Sequence, residues 1–588
     1  MLGLRRQWLM FFSITGLAWK TATAALPRLG DFFKISFPQT FPEPAALSIG
    51  EQFFTRTAIN VLPFDDWGFK GILEYYGLPG TVLTQRQAGL RQAEPIYGTL
   101  PLIWFDQTCD SLSIDERQLN WQATFGGLEQ TRTRFDYYRG DYGFIKFNLH
   151  AGGPFAERTR WRFLGSNFAY EGGYGWYGGK ANNLGESIAQ SYLLEMNTAM
   201  GAWSVNVHAD YRKFLPGIVQ AVPLSPSAEI MNWKPAGNLK LYRASLQTTA
   251  MRRRINDSTF VGVQQTNSLF GNYHQDSRYY YKGEAVQYTG RCYYERQRNR
   301  LTWFTDLEPF LARISQNNGV SFQQSLFTGK VGLQTGVRHQ LNLQIGTTNT
   351  NWLLSAAYIW SVNQNLKINA GFDHDYAIYP IVYRMQFPAN RPLKQAGFSY
   401  NLARLGLTSG HRILATQLEI NTVAADYDLP FKNDFADTLF TFQATRLRAI
   451  FLTLDLHLNL PANLRITSRT TFSPEKNLPV SLMHRSRISQ GMNLFGGNLN
   501  LYFAGEVHFW SGSRNFGWFE EIQQIGMTDV NYYTNNRLSF AGRVGGYIGD
   551  LHLFYAVYNA EGRSLSTIAG MPYRHQLKIF GVEWSFVD

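Results

Sequence analysis

Cysteine is nearly missing from this chain, with two residues, Cys109 and Cys292, among 588. Neither sits in a CxxC or at a metal-ligand spacing, so a disulfide scaffold and a structural zinc site are excluded as organising principles. Beyond the first twenty-odd residues there is also no apolar run long enough to cross a bilayer as a helix. Catalytic frameworks are missing too. There is no HExxH and no GxSxG, and Gly329-Lys330 is followed by Val331, which leaves a phosphate loop without its magnesium-binding hydroxyl. His208, His457, His508 and His552 are dispersed over polar positions of alternating segments. The chain therefore reads as a non-enzyme that calls for no metal and no cofactor.

Aromatics, by contrast, are abundant. They form 15% of the residues, with 43 Phe, 32 Tyr and 15 Trp, yet the mean hydropathy is slightly negative. A transmembrane β-barrel reconciles the two, because only alternate residues meet lipid and aromatic girdles mark the interfaces. The formal charge of +12 suits anionic headgroups or an anion-favouring lumen. Nucleic acid is a poor fit, since the arginines are scattered along alternating segments. Arg252-Arg253-Arg254 and Arg296, Arg298 and Arg300 fall at short links, where they read as solvated turn residues or as contacts to anionic headgroups.

Residues 1–24 read as a secretory signal: Arg5-Arg6, an apolar stretch from Trp8 to Trp19 too short to span, and Ala22-Thr23-Ala24 before a cut between Ala24 and Ala25. From residue 130 to 588 the dominant pattern is alternation. Leu452 to Leu460 alternates without a fault, placing its leucines on one face and Asp455 and His457 on the other. Counted back from the C-terminus, long links (559–573, 511–535, 473–485, 425–437, 375–395) exchange with tight ones at Gly549-Asp550, Gly496-Gly497, Pro461 and Ser409-Gly410. Barrels have this asymmetry of short periplasmic turns and long outer loops. The pattern requires one long strand over 439–460, whose alternation slips near Leu447, where a bulge would account for it. It predicts an all-β fold, a large antiparallel transmembrane barrel of about 22 strands, with both ends in the periplasm.

The final strand puts Phe580, Val582, Trp584 and Phe586 on one face and Gly581, Glu583 and Ser585 on the other. Gly581, Trp584 and Phe586 resemble the C-terminal assembly signal of outer-membrane barrels, with the difference that Val587-Asp588 follow. Within a long outer link, Tyr174, Trp176 and Tyr177 stand among glycines of the 172–179 segment, as a loop for a sugar or other planar ligand or as interface aromatics.

Residues 25–129 differ in texture, with frequent Pro and Gly and irregular alternation. Gly77-Leu78-Pro79-Gly80-Thr81-Val82, followed by Arg86 and Gly89, and the strand Leu100–Asp106 resemble the plug of TonB-dependent receptors. Gln87-Ala88 interrupt the plug's Arg-Gly pair, and no TonB box is evident in 26–37. The C-terminal stretch Tyr558–Arg563, then Met571-Pro572-Tyr573, is similar to the ends of porin and receptor barrels of Bacteroidota-like bacteria. The resemblance implies an N-terminal plug-like or periplasmic segment, an outer-membrane location, and transport of a small-molecule or glycan solute. It also implies TonB, the barrel-assembly machinery, outer-membrane lipid and lipopolysaccharide as partners. Three readings stay open: a plugged receptor, an open porin-like channel, and an adhesin or assembly scaffold acting through its outer loops.

Overall fold

The computed structural model describes most of residues 130–587, the longer connections excepted, and five short strands between Ile59 and Gln122 that pair among themselves in two small sheets. The wall of the molecule opens with β1 (Arg132–Gly140), β2 (Ile145–Ala156), β3 (Thr159–Tyr170), β4 (Ser187–Met200) and β5 (Trp203–Leu215). It continues with β6 (Asn238–Arg254), β7 (Thr259–Gln275), β8 (Tyr280–Arg298), β9 (Leu301–Gln316) and β10 (Ser321–Thr335). Next come β11 (His339–Thr348), β12 (Trp352–Ser361), β13 (Leu366–Ile378), β14 (Gly397–Gly410), β15 (Leu414–Lys432) and β16 (Thr441–Leu460). Last are β17 (Leu464–Phe472), β18 (Leu482–Leu494), β19 (Leu499–Trp510), β20 (Arg537–Ile548), β21 (Leu551–Tyr558) and β22 (Leu577–Val587).

Each strand pairs antiparallel with the next in chain order, and β22 pairs antiparallel with β1 from Ile579–Gly140 to Val587–Arg132. The described sheet is thereby a closed barrel with no free edge. Closure matters in lipid, where an unpaired backbone group finds no water to bond.

The two ends differ. At one, every connection is two to four residues, as at 157–158, 255–258 and 549–550. Their tightness needs left-handed backbone: Gly496 (φ 67°), Gly497 (φ 97°) and Gly549 (φ 56°) supply it, and Ala462 and Asn463 adopt it between β16 and β17. At the other end the connections 171–186, 216–237, 379–396, 511–536 and 559–576 are long. The links 276–279, 317–320 and 349–351 at that same end are as short as the turns opposite, so length asymmetry fades through the middle of the chain.

Several expected links turn out to be strand. Most of 425–437 belongs to β15, which runs to Lys432 because Tyr427 to Phe431 pair with Thr445 to Thr441. Likewise β14 reaches Gly410, β13 reaches Ile378 and β18 already begins at Leu482. A partner strand keeps the ladder going after the apolar pattern has stopped, so pairing rather than hydropathy sets strand length. The β15–β16 register also runs unbroken from Leu414–Leu458 to Phe431–Thr441, with no bulge at Leu447.

The alternation resolves into two faces. Ile450, Leu452 and Leu454 are exposed on the outside at 37–47%, while Phe451, Thr453 and Asp455 between them are at most 4% exposed on the inside. On the inner face, aromatic rings lie over glycines directly opposite them: Phe304 over Gly332, Tyr502 over Gly545 and Phe554 over Gly581. A β-carbon at any of these glycines would occupy the space of the ring.

Candidate functional site

The inward positions carry the chemistry. Buried ionisable side chains recur at one level of the wall: Asp306 on β9, Lys330 on β10, Asp373 on β13, Arg404 on β14 and Glu419 on β15, then Asp455 on β16, Glu506 on β19, Arg543 on β20 and Glu583 on β22. Counted along its own strand, each stands four to seven residues from the short-turn end. Alternation explains the facing, since a two-residue period sends all polar members of a strand to one side.

Much of this belt is paired. The Arg291 guanidinium donates to both carboxylate oxygens of Asp306, at 2.9 and 2.8 Å. Arg404 donates to Asp373, both of them buried. Glu506 lies 2.9 Å from His508 Nε2 and 3.8 Å from Arg487 Nε. Removing one member of such a pair strands a charge away from water, which costs far more than the pair contributes.

The densest cluster lies at the seam between the first and last strands. Glu583 accepts from Arg134 Nη2 at 2.9 Å and from the Tyr138 hydroxyl at 2.8 Å, both on β1. Arg134 Nε also donates to Asp136 at 2.7 Å. From the other side, His552 Nδ1 on β21 lies 2.9 Å from Glu583, and its Nε2 lies 2.9 Å from the Tyr502 hydroxyl. A neutral imidazole protonated at Nδ1 satisfies both contacts, donating to the carboxylate and accepting from Tyr502. Tyr547 stacks on His552 at 4.1 Å, and the Arg543 guanidinium covers the Phe554 ring at 3.5 Å.

Towards the long-loop end the lining turns apolar. Phe310, Ala312, Leu326, Leu353 and Tyr376 form one buried cluster. Beyond it, a hairpin of Phe516–Phe519 and Gln524–Thr528 from the 511–536 connection reaches across to β15, pairing Phe431 with Met527 and Lys432 with Thr528 in parallel. Phe519 packs near Phe440 at 6.4 Å, the Lys432 ammonium lies 5.1 Å from its ring centre, and Gly517 bridges to Ala569 of the 559–576 connection. This connection is thus fastened to a strand four places from β19 around the wall.

Among the residues anticipated from sequence, Phe580, Trp584 and Phe586 face outward and exposed, with the Trp584 and Phe586 rings 4.4 Å apart. Gly581 faces inward, and its missing side chain is filled by the Phe554 and Tyr138 rings; a β-carbon there would meet Tyr138 Cδ1 at 2.7 Å. Ala24, Ala25, Tyr174, Trp176 and Tyr177 lie outside the described residues. His508 and His552 are buried inward, whereas His457 is exposed. The Glu583 cluster was not anticipated. Its only trace in the sequence is the polar side of the last strand, because Arg134 and Glu583 stand 449 positions apart. Among the described residues no group of His, Cys, Asp and Glu is placed to hold a metal.

No family model and no curated protein matches the sequence. Solved structures do match in fold. A mutant of the ferric enterobactin receptor PfeA from Pseudomonas aeruginosa superposes with TM-score 0.63 over 90% of this chain and 94% of its own, at 11% identity. The FrpB iron transporter from Neisseria meningitidis gives 0.61 over 78% and 82%, at 9% identity. The siderophore receptor PirA from Acinetobacter baumannii gives 0.57 over 78% and 81%, at 10% identity.

Proposed function

We propose that this chain is an outer-membrane transport barrel of TonB-dependent-receptor-like design. In this reading its short-turn end faces the periplasm, its long connections face outward, and residues 25–129 sit in the lumen as a plug. The observation that carries the proposal is the closed ring β1–β22 with an apolar outer face and a belt of buried charge inside. A ring of about 22 strands encloses a lumen too wide for wall side chains to fill, and barrels of this size are plugged. The belt then has a use: mixed, partly paired charges at one level offer hydrogen bonds to a plug or to a passing solute. The matched structures are receptors and transporters for iron and siderophores, which supports a small-molecule solute taken up with energy from TonB. On the same reading Gly581, Trp584 and Phe586 serve barrel assembly, and residues 1–24 are removed on export.

Conductance across planar bilayers tests the proposal. The full-length mature chain should be nearly silent, and deletion of residues 26–125 should open a large conductance. A large steady conductance from the full chain would mean an open porin-like channel. Silence from both proteins would mean an adhesin or assembly scaffold.

A further inference from the structure

One sector of the outer wall departs from the rest. At the short-turn end, outward positions elsewhere carry residues such as Leu414, Leu494, Ile548 and Trp584, all exposed. On β6 and β8 the equivalent positions carry arginine. Arg252 is the Cα partner of Trp203, the first residue of β5, and its guanidinium lies 5.8 Å from the Trp203 ring centre. Arg296 is the Cα partner of Trp303, which is 53% exposed, and Arg298 is the partner of Leu301. Both Arg296 and Arg298 are exposed.

The register draws these residues together. Arg254 and Arg296 are both partners of Thr259, on its two sides, so they share one row. Arg252 lies one outward step along β6, opposite Val261. Adjacent strands lie about 4.8 Å apart, so these backbones fall within roughly 10–12 Å, a span that arginine side chains bridge. The Nε of Arg252 is buried with no hydrogen-bond partner among the described residues. The adjoining links, 255–258 and 299–300, add Arg300 and one acid, Asp257.

We propose that this sector is a binding site for the phosphodiester headgroup of an anionic phospholipid in the periplasm-facing leaflet. A guanidinium pairs with phosphate through two parallel donors. Trp203 and Trp303 stand where an indole rests in the interface, its ring in acyl chain and its N–H near the headgroups. The apolar positions above, Val263, Leu307 and Val331, are exposed and would meet the lipid's tails. A protein surface in water has no reason to seat arginines beside outward tryptophans, one exposed and one half-buried, directly below an aliphatic band. The inference rests on the membrane reading above.

The test reconstitutes the full-length mature chain in bilayers of mixed phosphatidylethanolamine and phosphatidylglycerol and measures which lipid is retained by native mass spectrometry. The wild type should retain phosphatidylglycerol preferentially. Each arginine near an anionic surface contributes about fivefold. Arg298→Gln should therefore lower the preference about fivefold, and the triple variant Arg252→Gln, Arg296→Gln, Arg298→Gln by tenfold or more. The single variant keeps the test decisive should the triple variant fail to fold. An inserted, heat-modifiable wild type without preference, or variants that keep it, would overturn the site alone. Displacement of the lipid by millimolar glycerol phosphate would also overturn it, in favour of a soluble phosphate ligand. A chain that never enters the bilayer overturns the barrel reading together with the site.

Discussion

The β15–β16 hairpin and the β22–β1 seam are both antiparallel pairings in one wall, yet they are held in register by different means. The hairpin runs without a shift from Leu414–Leu458 to Phe431–Thr441, across the eight-residue connection 433–440. That local connection keeps the two strands side by side, and the outward leucines forbid a slip, since one residue of shift would turn them into the lumen. The seam has no connection to set it. Its partners are some 450 positions apart, and chain closure over that length costs entropy that local pairing cannot offset early. There the structure places Glu583, bonded to two residues of β1 and one of β21, and Gly581 beneath the rings of Tyr138 and Phe554. A non-local joint is specified by buried polar geometry; a local one is specified by hydrophobic alternation.

The largest effect is therefore expected at the seam. Glu583→Ala leaves Arg134 and His552 facing a buried gap, and removal of one partner from a buried ion pair costs about 3–5 kcal/mol. The variant should show a marked fall in the heat-modifiable, closed form on gels and a lower urea midpoint. The exposed pair Arg446–Asp426 on the hairpin, at 2.9 Å, supplies the control, and Asp426→Ala should leave both readouts at wild type. Equal losses at the two sites would end the distinction between joints.

A second comparison opposes the two faces of β16. Leu454→Arg should destabilise the folded barrel by about 2–4 kcal/mol if it meets the midplane, with Leu456→Arg next to it behaving alike. Asp455→Asn should be milder, because it keeps volume and hydrogen-bonding capacity on the inner face. Urea unfolding in lipid vesicles reads both. Matching losses from Leu454→Arg and Asp455→Asn would show that the face assignment does not govern stability.

The smallest intrinsic effect is expected at the outward aromatics of the closing strand. Trp584→Ala with Phe586→Ala removes outward-facing, exposed rings whose centres lie 4.4 Å apart. Abundance of folded protein in the outer membrane should fall, while transport or conductance per folded molecule should stay at wild type. Unchanged abundance with reduced activity per molecule would place this strand end in the functional site instead of the assembly route.

Much of the wall was determined by sequence alone. Alternation at Leu452–Leu460 assigned the two faces, and Gly496-Gly497, Pro461 and Gly549-Asp550 marked turns where the structure has them. These are local properties: a two-residue period and a left-handed φ are visible within a few positions. Strand ends were less legible, since β15 continues through Tyr427–Lys432 on the strength of its partner, and a ladder needs no hydropathy signal to go on. What only the tertiary structure decided is what lies far apart in the chain. Arg134 meets Glu583, the 511–536 hairpin fastens to β15, and three arginines from two strands gather beside Trp203 and Trp303. No local pattern encodes these meetings, because which residues share a level depends on the register of every strand between them.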